Sequence, residues 1–422
     1  MRLNVDTLGT FYEMARQGAG LAADRLTELS GVESRVADTR IEFTTAEAVR
    51  SRLATADDRA GTVVDLSGGL DGETLLVFDA DSARSVAATL VEAVDDRRVD
   101  RPIEELVDSA VPEFCAIVNN GFVDGWANVL DREVELSAPR YVSGEALPDA
   151  VEAGGVDGVA VLFRSRIETD AAGLSLDHYF LPGAATTELF AAEEGIAYES
   201  LVGFDRVAQR GADRVTGDLS KLTGIETTID VRRVSFVALD AIPAAVPNEA
   251  LASVAFSFTG TPSGYLLFLY DGYSARRLAR TMTGSAPDSG LDEMGRDAVK
   301  EASNIMASGL LDGWANALET SIEHSTPAFT WDLGPAAVDP LVVALSRRQE
   351  FAFVFDTRIE ADDRSFDVSI YVIPEENDLV QAVDAVDPDR AERASAAADV
   401  DVGDLDDSEL ADVDEVEGVS VE

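Results

Sequence analysis

Lysine is almost missing from this sequence. Of 33 basic residues only Lys221 and Lys300 are lysines, and 80 acidic residues leave a net charge of −47. Gripping a phosphate backbone takes clustered Lys and Arg, and no basic stripe occurs, so a nucleic-acid partner is disfavoured. An anionic lipid surface repels such a chain. Cysteine is equally scarce: the single Cys115 rules out an internal disulfide and fits a reducing cytoplasm. It lies on an apolar helix face and reads as a buried structural thiol rather than a nucleophile. Only two histidines occur, His178 in a strand-like segment and His324 after a helix, and both read as structural. No apolar run reaches the roughly 18 residues of a membrane span. The opening MRLNVDTLGT has neither the basic head nor the greasy core of a secretion signal. Neither membrane insertion nor export is expected, and the expected location is cytoplasmic.

What is present is ample for folding. A chain of 422 residues with 46% apolar residues supports two or more cores. The acidity runs throughout: residues 377–422 hold 16 acids against 2 arginines, and the rest still carries −33. Acid excess with scant lysine is the style of a salt-loving archaeon, where high ionic strength screens self-repulsion. The charge reports on habitat rather than on a ligand.

Periodicity gives the order of elements. A helix from about 7 to 29, strand-like SRVADTRIEF and a short helix near 46–53 come first. A hairpin, GTVVDLSGG with GETLLVFD, follows, then helices at about 81–93 and 103–131 and strands at 133–142, 158–168 and 173–181. Then the order restarts. GFVDGWANVL from Gly121 matches GLLDGWANAL from Gly309, SRIETD at 165 matches TRIEAD at 357, and LLVFDADSAR at 75 matches LLFLYDGYSAR at 266. A shared offset near 190 makes the chain a tandem duplication. Each unit also carries a fainter internal repeat, with long helices starting near 8, 105, 200 and 292. Units are expected at 1–190 and 197–376. Residues 377–422 contain no aromatic residue and dense acid, and are expected to form a disordered tail.

The most informative stretch is 297–327. Asp297, Glu301 and Asn304 stand at i, i+4 and i+7 and share one face of a helix. An acid and an amide a turn apart can grip a partner and orient a water. They make a poor metal site, since no His or Cys completes a ligand set. Acids and amides at this spacing also form ordinary solvated faces. The repeated Trp126 and Trp314 read most simply as core anchors.

Asp297-x3-Glu301-x2-Asn304-x22-Pro327 resembles the signature of the CheC family of chemotaxis phosphatases, which runs Asp or Ser, Glu, Asn and Pro at these spacings. The resemblance implies an α+β fold of two tandem modules. Each would be a pseudo-twofold pair of halves with a largely antiparallel sheet packed by two long motif helices. Only the fourth helix holds the full motif. In the second, Ser109, Glu113 and Pro139 keep their places but Ala116 replaces the amide, and Asn120, one turn later, is a substitute at the wrong height. The first keeps Glu13 with Gly9, Arg16 and Thr39 elsewhere, and the third has Arg206 and Gln209.

The implied activity is hydrolysis of the aspartyl phosphate of the response regulator CheY. Asn304 would orient the attacking water, Glu301 would engage the regulator's lysine, and Asp297 and Pro327 would be structural, Asp297 by complementing the helix dipole. No cofactor of its own is implied, since Mg²⁺ belongs to the partner regulator. The alternative implied by the family is a non-catalytic adaptor of the chemotaxis or archaellum network that binds CheD or CheY. A motor-switch role is disfavoured.

Overall fold

The computed structural model describes residues 2–3, 5–54, 59–79, 103–150, 159–169, 175–189, 195–197, 227–246, 248–287, 290–361 and 367–384, with isolated residues besides. Apart from those isolated residues, the helices expected at 81–93 and from about 200, and the acidic segment beyond 384, lie outside them.

In the first unit, helix α1 (Val5–Ser30) leads into strand β2 (Ser34–Thr45) and helix α2 (Ala46–Ala54). The hairpin β3 (Arg59–Gly68) and β4 (Gly72–Asp79) comes next, then helix α3 (Ile103–Leu130), β5 (Val134–Leu136) and β6 (Arg140–Ser143), and a second hairpin, β7 (Val159–Thr169) and β8 (Ser175–Pro182). A two-residue strand, β9 (Ile196–Ala197), pairs with β1 (Arg2–Leu3). The second unit repeats the plan with β10 (Thr227–Ala238), β11 (Ala250–Gly260), β12 (Gly264–Asp271), helix α4 (Gly272–Thr283) and helix α5 (Glu293–Leu318). It continues with β13 (Ile322–His324), β14 (Ala328–Leu333), helix α6 (Gly334–Leu345), β15 (Phe351–Ala361), β16 (Asp367–Pro374) and helix α7 (Glu376–Asp384).

Among the described strands all the pairings are antiparallel. The first unit runs β2-β7-β8-β4-β3, with β5 and β6 beyond β3; the second runs β10-β15-β16-β12-β11, with β13 and β14 beyond β11. Inside each unit the first strand of one half pairs with the leading hairpin strand of the other half, around a central β4–β8 or β12–β16 pair. That is the pairing of a two-fold pair of halves. The units are then fused: β2 and β10 pair through Phe43↔Val234, Glu42↔Ser235 and Ile41↔Phe236, and one 14-stranded sheet results.

Strand alternation sets the layers. Ile41, Phe43, Val234 and Phe236 face the long helices and belong to one continuous core. On that face α1 and α3 touch backbone to backbone. A Cβ on Gly18 would lie 2.5 Å from Trp126 Nε1, and one on Gly125 2.5 Å from Gly18 Cα. Trp126 and Trp314 are buried, the core role expected of the repeated motif. On the other face Glu42, fully buried, accepts from Arg52 at 2.8 Å, while Arg164 pairs with Asp177 at 2.9 Å and approaches Glu42 at 3.9 Å.

The structure departs from the sequence pattern in three places. The strand expected at 133–142 arrives as two pieces, interrupted at Pro139, and its counterpart in the second unit is interrupted at Pro327, because proline cannot donate to a ladder. Helix α6 forms where Pro335 and Pro340 suggest a break; Pro335 sits in the first turn, where no N–H is required, and Pro340 is exposed. Finally, the folded chain passes the expected boundary at 376. Helix α7 buries Leu379 and Ala382, and Asp378 accepts from the Ser263 backbone N–H at 3.2 Å.

The glycine contacts predict opposite signs along one helix crossing. Gly125→Ala should destabilise the protein by about 1–3 kcal/mol through overpacking. Gly20→Ala, with open space around its Cβ, should stabilise it by about 0.5–1 kcal/mol. Denaturant unfolding in high salt measures both.

Candidate functional site

Helix α5 begins where Asp292 Oδ1 accepts from the Gly295 N–H at 2.8 Å and ends on Glu319 in the left-handed region, φ 52°. Val299, Ala302, Ser303, Met306, Leu310 and Trp314 form its buried face, and the Ser303 hydroxyl shares a 2.8 Å hydrogen bond with Tyr270. Asp297, Glu301 and Asn304 lie on the opposite side: the first two exposed, the amide half-buried. Asp297 pairs with Lys300 at 2.6 Å. It sits a full turn inside the helix, so the dipole is complemented instead by Asp292 and by Glu293 in the first turn. Among the described residues, the side chains of Glu301 and Asn304 make no hydrogen bond or ion pair. A carboxylate and an amide are thus held a turn apart on a rigid element, with their hydrogen-bonding capacity unspent. Pro327 is half-buried in the gap between β13 and β14.

The equivalent helix of the first unit differs beyond the missing amide. Pro112 stands where α5 has Lys300, and removes a helical hydrogen bond beside Glu113. Glu113 is exposed, Ala116 and Pro139 are half-buried, and the Ser109 side chain lies outside the described residues. Asn120 is exposed. Its neighbour Asn119 is buried: Nδ2 donates to Thr74 Oγ1 at 2.8 Å and Oδ1 meets His178 Nε2 at 3.2 Å. The His178 ring stacks on Phe122 at 3.6 Å, and burial pushes its pKa down to about 3. Burial likewise pushes the Cys115 thiol up to about 12, with a smaller opposing effect from Thr62, so this cysteine is inert.

Helix α1 turns its motif positions toward the second unit. A Cβ on Gly9 would lie 2.8 Å from the Phe351 ring, and Tyr12 meets that ring edge-on at 5.7 Å. Glu13 is tied to Arg16 at 2.6 Å, beside Asp240 and Arg347 across a cleft. Arg206 and Gln209 of the third helix lie outside the described residues. Among the described residues no cluster of His, Cys, Asp and Glu could hold a metal ion, and no helix is long and apolar enough to cross a membrane.

Comparison with known proteins gives the family. A model of the CheC-like family matches residues 294–330, the span from the start of α5 to just past Pro327. The putative CheY-P phosphatase CheC1 of Halobacterium salinarum is 32% identical over 188 residues, 43% of this chain and 93% of that protein. The chain belongs to the CheC-like family. A second CheC-like relative, the CheY-P phosphatase CheC of Bacillus subtilis, is 23% identical over 193 residues, 43% of this chain and 90% of its own. Less than half of this CheC-like chain spans nearly all of each relative, as two modules in tandem require. Among solved structures, FliY of Thermotoga maritima aligns at 17% identity over 44% of this chain and 95% of that one, with a TM-score of 0.37. The CheX-CheY-BeF3-Mg+2 complex of Borrelia burgdorferi aligns at 15% identity over 41% and 99%, with a TM-score of 0.29.

The buried His178 gives a pH prediction. Its folded pKa near 3 lies below the ordinary 6.5, so the unfolded chain takes up a proton that the folded one refuses. The resulting stability is complete above about pH 6.5 and is lost as pH falls toward 3, by on the order of 1 kcal/mol per pH unit. Comparing acid unfolding of wild type with His178→Phe isolates this slope from that of the carboxylates; the variant should lose it.

Proposed function

We propose that this protein hydrolyses the aspartyl phosphate of CheY, using helix α5 alone. The observation that carries the reading is the pair Glu301 and Asn304, open and without partners on a helix whose other face is locked into the core. The names of the two relatives, both CheY-P phosphatases, support the choice of substrate. An aspartyl phosphate is an activated acyl phosphate, so what remains to be supplied is an oriented water for in-line attack. The Asn304 carbonyl accepts a water proton while its NH₂ donates nearby, and the amide does not ionise. Glu301 holds the regulator through a charge-assisted hydrogen bond to its lysine. Asp297 and Pro327 support the helix and the strand after it. The Mg²⁺ is the regulator's own, and the reaction takes place in the cytoplasm, where the regulator is.

The adaptor reading applies to the first unit, whose amide is gone and whose α3 carries Pro112; CheD is its candidate partner. CheD capture that survives Asn304→Ala with Glu301→Ala and is lost on Glu113→Ala would assign binding to that unit.

Asn304→Ala should lower the dephosphorylation rate of CheY by at least about 100-fold while leaving CheY binding intact, because misplaced water is costly. Glu301→Ala should weaken binding as well. A wild-type protein that fails to shorten the lifetime of phosphorylated CheY in high salt refutes the reading.

A further inference from the structure

One turn beyond Asn304, Ser308 ties α5 to the strand that follows. Its Oγ lies 3.0 Å from the Asn304 backbone carbonyl and 3.0 Å from His324 Nε2, and its one proton is shared between these two acceptors. His324 Nδ1 lies 3.0 Å from the Ser325 carbonyl, so this nitrogen carries a proton and donates. Phe256 meets the ring edge-on at 5.3 Å and limits its rotation. Ser325 is fixed in turn to β11: its N–H donates to the Ser257 carbonyl at 2.8 Å, and its Oγ accepts from the Ser257 N–H at 3.1 Å. The path from Asn304 to the gap that holds Pro327 is therefore a chain of hydrogen bonds.

The first unit is an internal control. Its Ser137 makes the same two bonds to Asp65, at 2.9 Å each, so the framework is the same. The places of Ser308 and His324 are taken by Asn120 and Leu136, and leucine cannot hydrogen-bond. Within this chain, the unit that lost its motif amide also lost this tie.

We propose that Ser308 and His324 are positioning residues that fix the turn bearing Asn304 against β13, and so set the height at which its amide holds water. This rests on the phosphatase reading. It explains why the amide and Pro327, 23 positions apart, belong to one site: His324 links the two. Neither residue touches the substrate.

The test uses the full chain in high salt with phosphorylated CheY. His324→Leu, which installs the first unit's residue, should lower kcat roughly tenfold or more with KM within about twofold, the split expected of a misplaced water. Ser308→Ala should act in the same direction. His324→Gln, whose amide reaches the place of Nε2, should recover most of kcat. The side-chain amide resonances of Asn304, assigned by their loss in Asn304→Ala, should shift in His324→Leu and return in His324→Gln. Unshifted resonances, or an unchanged kcat in His324→Leu while Asn304→Ala is inactive, overturn the proposal. If wild type itself fails to hydrolyse while the resonances shift and return, the tie stands and the phosphatase reading falls.

Discussion

The pairing of β2 with β10 is the constraint on which the rest depends. Each unit taken alone would end in a long edge strand, with main-chain donors and acceptors open to another chain. Joining the two edges at Ile41–Phe43 and Val234–Phe236 pairs those stretches internally and places Phe43 against Phe353 and Tyr12 against Phe351. The seam is braced on the opposite face by the buried Glu42 and its arginines. A buried carboxylate is tolerated only when paired, which makes this region intolerant of truncating either partner.

That seam also bears on how the described motif helices differ. Helix α1 spends its motif face on Phe351 and the cleft beside it, so Gly9 and Arg16 at motif positions are compatible with contact rather than catalysis. Helix α3 keeps an exposed Glu113, but with Pro112 next to it and no amide. Among the described helices, only α5 combines an open face, an uninterrupted helix and a tie to the following strand.

Much of this was legible in the sequence. Helical spacing places Asp297, Glu301 and Asn304 together whatever the tertiary context, glycines mark both hairpins, and the duplicated Asp-Gly-Trp-Ala-Asn segments fix the repeat. What escaped depends on long-range choice. Nothing local says that β2 and β10 should meet, since each reads as an ordinary alternating strand. The proline-bearing α6 hides behind residues that usually end helices, and α7 disappears when Leu379 and Ala382 are averaged with the acidic segment beyond them. The Ser308–His324 contact joins residues 16 apart on different elements, and neither side chain is distinctive by itself.

Fusing one pair of edges leaves two others, the outer rims at β5–β6 and β13–β14. On a chain this acidic, charge repulsion would ordinarily keep such rims apart, but at molar salt the screening length shrinks to about 3 Å and that protection vanishes. The defence must then be geometric. Pro139 and Pro327 break both rims into short, offset pieces that offer no continuous ladder to a neighbour. Pro327 on this view guards against fibrous association as well as completing the motif, and its counterpart has reason to persist in a unit whose amide is gone.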